Sequence, residues 1–271
     1  MLLSPPPLTS PSPPRCPPPE LLRESERCLF AFYRLVRSGA PVWRLEEVRR
    51  LEVRVWDEGL GQLEPLSPGH ALVYALVHDR TDYCAMLLRS YGRVALTPPP
   101  CAFCTRSVGA THLRLAATYD RQEALQLILD TLQSSLSPAE LRSYLDSRSP
   151  CSHLDSGETA VAVAVAMCHS RCLLMLLASG ATATGLEAGL QQLEAGRGPK
   201  QEALRCVYFL LLFGHASSPR PLDSQLQCIL GDPLFRWLSG QAPPTLLLHA
   251  LRSIARTAPA AISTLPPGLR P

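Results

Sequence analysis

A helix pair that recurs along the chain constrains its fold more than any other feature. In residues 157–181, Thr159 stands where it can cap a short helix, and Ala164 is small enough to let two helices approach closely. Leu176 and Leu177 are placed to fill the seam between the helices, and Gly180 turns the chain. The pattern predicts two short antiparallel helices that stack on neighbouring copies and form a binding surface, without catalytic chemistry.

Two earlier segments keep the same internal spacing. Their equivalent alanines, Ala75 and Ala116, lie 41 residues apart, and Ala164 follows 48 residues later. The other matching positions are Leu72, Leu87 and Leu88 in the first copy and Thr111, Leu113, Ala117, Ile128 and Leu129 in the second. A fourth, less regular copy covers residues 185–216.

The offsets resemble those of the ankyrin repeat, whose unit is about 33 residues. The longer spacing places the excess in two insertions, residues 89–109 and 130–156, and long loops on a rigid array usually carry recognition. The sequence therefore predicts an all-α ankyrin-repeat solenoid of three to four irregular repeats. The expected order is a Pro-rich tail, a helical cap, the repeats with their insertions and a helical C-terminal region, at residues 1–19, 20–62, 63–216 and 217–271.

Two helical segments are expected in the cap, residues 20–36 and 43–56, from the spacing of their apolar positions. A last helix is expected after Pro243 and Pro244, and it carries an apolar stripe of Leu246, Leu247, Ala250, Leu251 and Ile254. Such a stripe either packs on the fold itself or meets a partner.

The charge, the apolar runs and the cysteines of the sequence limit the kinds of partner and compartment to be expected. The formal net charge of +3 comes without a dense basic run, so we expect a protein partner and neither nucleic acid nor a membrane. No apolar run approaches the roughly 18 residues of a membrane span, and the Pro-rich start is unlike a secretory signal. Both observations favour the cytosol or the nucleus, and we expect a cytoplasmic protein. Among ten cysteines, four lie in apolar helical patterns and are expected to be free and buried: Cys84, Cys168, Cys172 and Cys206.

Residues that could carry chemistry are sparse. The sequence has no Gly-rich phosphate loop, no Gly-x-Ser-x-Gly and no His-Glu-x-x-His, so neither an enzyme nor a cofactor is expected. Asp79 and Asp120 share one repeat offset just after the first helix, where a role in chain reversal fits better than acid–base work. His78 and His169, at helix ends, are expected to form hydrogen bonds to the turns.

Cys101 and Cys104 form a Cys-x-x-Cys pair, for which His112, Cys151 and His153 are conceivable further zinc ligands. No second pair at zinc-finger spacing exists. Two thiols in a Pro-rich loop are the plainer interpretation, and a zinc or thiol sensor is the alternative.

Several short segments resemble one subfamily of ankyrin repeat domain-containing proteins, over roughly residues 27–269. They are residues 30–33, 41–43, 72–79, 235–238 and 242–244. That subfamily is associated with turnover of inosine monophosphate dehydrogenase, so the resemblance implies this enzyme as a candidate target.

The stretch from residue 243 to residue 271 is similar to a suppressor-of-cytokine-signalling (SOCS) box. In that family the first part docks on elongin C, in complex with elongin B, and a Leu-Pro segment selects a cullin, here cullin-five in preference to cullin-two. The resemblance implies Leu246, Ala250 and Ile254 as the elongin C contact and Leu265, Pro266, Pro267 and Leu269 as the cullin contact. Ala250 stands where most members carry cysteine.

The resemblance implies a substrate receptor of an elongin–cullin RING E3 ubiquitin ligase, which directs a bound target to ubiquitination and proteasomal degradation. Such a receptor is not catalytic itself, because its partners carry the ligase chemistry. The alternative is a non-degradative scaffold, in which the repeats bind a partner and the C-terminal stripe only seals the solenoid.

Overall fold

The computed structural model describes residues 19–57, 62–99, 111–148, 158–196, 198–214, 222, 224–259 and 261–264. The chain divides into two compact units, Met1–Ser67 and Pro68–Pro271. None of the helices within the described residues combines the length and the apolar character that a membrane crossing needs.

The N-terminal unit has two helices, α1 (Pro19–Arg37) and α2 (Val42–Leu51), and a hairpin of β1 (Arg54–Asp57) and β2 (Gln62–Pro65). The strands are antiparallel, with Val55 opposite Glu64. The second predicted helical segment therefore ends at Leu51, and Trp56 lies in a strand. The β-branched Val53 and Val55 alternate with Arg54, a pattern that favours extended backbone. The hairpin is an addition to the otherwise helical architecture expected from the sequence.

A buried arginine organises the N-terminal unit. Arg49 of α2 is only 4% exposed, and its Nη2 lies 2.6 Å from Oε1 of Glu46. Its Nη1 donates a hydrogen bond of 2.5 Å to the carbonyl oxygen of Leu66. The buried guanidinium is thus paired with a carboxylate one helical turn away. Its second contact connects α2 to the residue that follows β2.

The secondary-structure elements described in the C-terminal unit are all helices. In chain order its helices are α3 (Pro68–Val77), α4 (Thr81–Tyr91), a 3₁₀ helix (Gly92–Leu96), α5 (Thr111–Thr118), α6 (Gln122–Ser135), α7 (Pro138–Leu145), α8 (Ala160–Ala166), α9 (Ser170–Ala178), α10 (Leu186–Glu194), α11 (Lys200–Phe213), α12 (Ser224–Leu230), α13 (Asp232–Leu238), α14 (Leu246–Thr257) and α15 (Ala261–Thr264).

Four helix pairs form the repeats: α3 with α4, α5 with α6, α8 with α9, and α10 with α11. The first helices pack in one row, α3 on α5, α5 on α8 and α8 on α10, and the second helices pack in another, α4 on α6, α6 on α9 and α9 on α11. Ala75, Ala116 and Ala164 are fully buried, since a larger side chain there would hold the helices apart. The predicted solenoid of irregular repeats is confirmed.

Both insertions are packed where the structure describes them. The first begins with the 3₁₀ helix, whose Leu96 is buried, and the second contains α7, whose Leu145 is buried. The hydroxyl of Tyr144 on α7 donates to the carbonyl oxygen of Leu96 at 3.3 Å, so the two insertions touch. Gly69 of α3 has no room for a Cβ, which would lie 2.2 Å from the carbonyl oxygen of Thr97. These described parts of the insertions extend the core, and recognition by the insertions stays a prediction.

Candidate partner-binding surfaces

Each of the first three repeats reverses direction at a residue with left-handed backbone. Asp79, Asp120 and Cys168 have φ values of 57°, 52° and 56°, and each lies four residues after the buried alanine of its repeat. Aspartate adopts this conformation more readily than most residues, because its short polar side chain bonds locally. The predicted role of Asp79 and Asp120 in chain reversal is confirmed, and Cys168 takes the equivalent place in the third repeat.

The residue after each of two turns bonds to the preceding repeat. Arg121 donates from Nε to the carbonyl oxygen of Leu76 and from Nη2 to that of Val77, both at 3.0 Å. His169 donates from Nδ1 to the carbonyl oxygen of Ala117 at 2.7 Å. These carbonyls end the first helices, where no intrahelical donor remains. His169 therefore forms the hydrogen bond expected at a helix end, and this bond joins the third repeat to the second.

Beside these turns, two adjacent repeats present exposed apolar side chains. Tyr119 and Met167 each follow the buried alanine of their repeat by three residues, and they are 42% and 49% exposed. The Arg121 guanidinium lies 5.8 Å from the centroid of the Tyr119 ring. Tyrosine, methionine and arginine are enriched where protein interfaces are buried. Sequence reasoning missed this pair, although the shared offset from the alanines is visible in the sequence.

His112 is a structural residue of the second repeat. Its ring is fully buried, and Nε2 donates to the carbonyl oxygen of Gly69 on α3 at 3.0 Å. Burial lowers the pKa of His112 to about 4, and the Gly69 carbonyl offsets this only in part. Its Nδ1 has no hydrogen-bond partner among the described residues. The neutral imidazole thus links α5 to α3.

The other zinc candidates, Cys101, Cys104, Cys151 and His153, lie outside the described residues. Within the part of the chain that the structure describes, no group of three or more His, Cys, Asp and Glu side chains could hold a metal ion.

The four cysteines expected to be free and buried are so: Cys84, Cys168, Cys172 and Cys206. Burial raises the pKa of the Cys84 and Cys206 thiols to about 12, so both remain protonated at neutral pH.

The residues predicted to contact elongin C lie on α14. The helix begins after Thr245, whose Oγ1 accepts a hydrogen bond of 3.3 Å from the backbone N–H of Leu248. Leu246 is 90% exposed, Ala250 is exposed and Ile254 is half-buried. The four residues predicted to contact a cullin, Leu265, Pro266, Pro267 and Leu269, lie outside the described residues.

Helix α14 packs on α11 through a different face from the predicted stripe. Its buried residues are Leu248, Leu251, Arg252 and Ala255. Since successive helical residues are about 100° apart, these four share one side of the helix, and Leu246, Leu247, Ala250 and Ile254 share another. Of the predicted stripe, only Leu251 is buried. We call the set of Leu246, Leu247, Ala250 and Ile254 the outer apolar face. Leu247 in this set is 52% exposed.

Sequence comparison places the chain among known proteins. Ankyrin repeat domain-containing protein 9 of Mus musculus is 33% identical over 279 residues, which cover 87% of this chain and 85% of the mouse protein. The chain belongs to this ankyrin repeat family. No family model and no solved structure matches it. The ankyrin character predicted from the repeat offsets is thus confirmed, and with it a general role in protein binding.

Proposed function

We propose that the chain is a substrate receptor of an elongin–cullin RING E3 ubiquitin ligase. The repeats hold the target, and α14 binds elongin C, with elongin B, through Leu246, Ala250 and Ile254. The segment that contains Leu265, Pro266, Pro267 and Leu269 contacts a cullin, five in preference to two. The chain is a non-catalytic adaptor, and it works in the cytoplasm.

One observation carries this proposal: a leucine that is 90% exposed in the first turn of a capped helix. Covering one leucine side chain contributes about 1.5 to 3 kcal/mol, and Leu246 has Leu247 beside it. An amphipathic helix that lays its apolar face into a groove is a common mode of partner binding. The outer apolar face of α14 supports such a contact, because its other face already fixes the helix to the repeats.

Co-purification tests the ligase contact. The wild-type chain is expected to bring down elongins B and C, and Leu246→Asp is expected to lose them. Aspartate suits the first helical position, so this variant should remain folded by circular dichroism. His249→Asp is the matched control, since His249 is exposed on α14 outside the outer apolar face and should keep elongin binding. Equal recovery of elongins with Leu246→Asp would show that α14 is not the contact.

The repeats are tested separately through Tyr119 and Met167. Both should be buried by a bound target, so Tyr119→Ala with Met167→Ala is expected to weaken target binding and to leave elongin binding intact. Inosine monophosphate dehydrogenase is the candidate target. Its cellular half-life should lengthen with the double variant and with Leu246→Asp. An unchanged half-life in both would remove this enzyme as the target and leave the ligase contact standing.

A non-degradative scaffold is the second candidate function, favoured by the packing of Leu248 and Leu251 against the solenoid. In that case α14 serves as a cap on α11. Truncation after Gly240 discriminates between the two. A scaffold should lose folded stability and target binding together, whereas a ligase receptor should keep its target and lose both elongin and target turnover.

A further inference from the structure

Hydrophobic burial alone does not decide which side of α14 packs on α11. The buried face offers two leucines and an alanine, and the outer apolar face offers two leucines, an alanine and an isoleucine: Leu248, Leu251 and Ala255 against Leu246, Leu247, Ala250 and Ile254. The hydrophobic effect has no direction and scales with area, so the outer apolar face, with one aliphatic side chain more, competes at least as well as the buried face. A directional interaction must select between them.

Arg252 supplies that interaction. It is 9% exposed, and its Nη2 donates a hydrogen bond of 3.0 Å to the carbonyl oxygen of Gly214 at the C-terminal end of α11. The end of a helix carries partial negative charge and unpaired carbonyls, so it is a favourable place for a guanidinium. Gly214 is required there, because a Cβ on it would lie 2.5 Å from the carbonyl oxygen of Leu210.

A second contact of the guanidinium is with an aromatic ring. Its central carbon lies 5.4 Å from the centroid of the Trp237 ring on α13, within the range of a cation–π contact. Arg252 therefore joins three helices, α11, α13 and α14. At about 100° per residue it lies on the side of α14 opposite the outer apolar face, so these contacts hold only when that face points outward.

The contrast with Arg49 shows that Arg252 is not an ordinary buried ion pair. Arg49 has the carboxylate of Glu46 at 2.6 Å, whereas no carboxylate among the described residues is paired with Arg252. Burial, and then the positive charge of Arg256, lower the pKa of Arg252. An unpaired buried cation is costly for stability, and its directional contacts are what the fold gains in return.

We propose that Arg252 selects the rotation of α14 about its own axis and thereby keeps Leu246 accessible. It is a positioning residue for the partner contact, and its importance for elongin binding rests on the function proposed above. Without the guanidinium, α14 can roll so that part of the outer apolar face packs on α11.

Thiol labelling at two positions tests this directly. Leu246→Cys and Leu248→Cys are made separately, each with and without Arg252→Ala, and alkylation by N-ethylmaleimide is followed at each site by peptide mass spectrometry. With Arg252 present, the thiol at position 246 should react much faster than the one at 248. Arg252→Ala removes the guanidinium without adding a large apolar side chain to the buried face. It should slow the former and speed the latter, and change their ratio by about tenfold, as expected for the loss of one charge-assisted hydrogen bond.

The opposite movement of the two rates separates positioning from a merely structural role. A general loosening of α14 would speed both reactions and would overturn the proposal, as would an unchanged ratio. Arg252→Lys keeps a donor for the Gly214 carbonyl and should restore part of the ratio. Arg256→Ala, on an exposed position of the same helix, should leave it unchanged.

The recovery of elongins shows whether the positioning role of Arg252 or the proposed ligase function has failed. If both hold, Arg252→Ala weakens elongin recovery in parallel with the labelling ratio, and Arg252→Lys restores part of it. If the ratio changes while the wild-type chain recovers no elongin, the ligase function fails and the positioning role of Arg252 stands. If elongin recovery depends on Leu246 but the ratio does not respond to Arg252→Ala, the positioning role fails alone.

Discussion

The third repeat and the C-terminal helix α14 place similar apolar side chains in opposite settings. In α8, Val161, Val163 and Val165 are all buried, because α5, α9 and α10 cover the helix. Helix α14 packs mainly on α11 and α15, and it leaves Leu246 and Leu247 exposed. The helices packed around an element therefore decide whether its apolar side chains are buried. Apolar side chains that no other helix covers are typical of a surface that binds a partner.

The strongest test of this contrast truncates one leucine in each region. Leu176→Ala in α9 should lower the free energy of unfolding by about 3 kcal/mol, since the side chain is fully buried and a cavity remains. Leu246→Ala should change it by less than about 0.5 kcal/mol. Urea unfolding measures both. Similar losses in the two variants would mean that Leu246 is covered in solution.

Acid should weaken the repeats through His112. The pKa of this ring is lowered to about 4 in the fold, so between the ordinary value of 6.5 and 4 only the unfolded chain takes up the proton. Stability is fully present above pH 6.5 and falls as pH decreases, by on the order of 3 kcal/mol. Unfolding midpoints across this range, compared with those of His112→Gln, isolate the contribution. Parallel pH curves would contradict it.

Next in size is the coupling between repeats. Arg121→Met removes the two bonds to the carbonyls of Leu76 and Val77 and should lower the free energy of unfolding by about 2 kcal/mol. Arg171 is the control: its one described bond, to Oε1 of Gln122, is exposed, and Arg171→Met should cost less than about 0.5 kcal/mol. Equal effects of the two substitutions would show that the inter-repeat bonds add nothing.

The smallest effect concerns the left-handed turn at Asp79. Asp79→Ala should destabilise the fold by about 1 kcal/mol, because alanine adopts this backbone less readily, and Asp79→Gly should be neutral or slightly stabilising. Asp79→Asn keeps the tolerance for this backbone and removes the charge near Arg121, so it reports the exposed ion pair alone. Thermal unfolding ranks the three variants. A glycine variant no better than alanine would exclude backbone strain as the cause.

Much of the repeat architecture was predictable because its constraints are local. Small residues at close helix contacts and turn residues at fixed offsets leave marks in the sequence, as at Ala164 and Asp120. The alternating Ala-Val run of α8 would favour a strand if it stood alone. Its place in the repeat pattern correctly predicts a buried helix, since burial on every side overrides the preference of valine.

The rest depends on contacts that a single pattern does not specify. The two apolar faces of α14 give no sequence preference for one over the other, and the choice follows from the distant Gly214 and Trp237. Helix α7 has little apolar periodicity, yet its start was detectable. Ser137 and Glu140 form a reciprocal capping box around Pro138, which is a helix-start signal.

The hydrogen bonds from Arg121 and His169 join consecutive repeats directly, so the connections between these repeats can differ in length. These bonds join residues 44 to 52 positions apart in sequence that are neighbours in the stack. The alignment of one repeat on the next is therefore fixed across the stack and does not depend on how much chain links them. Loop closure costs little more as a loop lengthens. Such an array can acquire new sequence between its repeats, and with it new specificity, while the packing of the repeat helices on one another is kept.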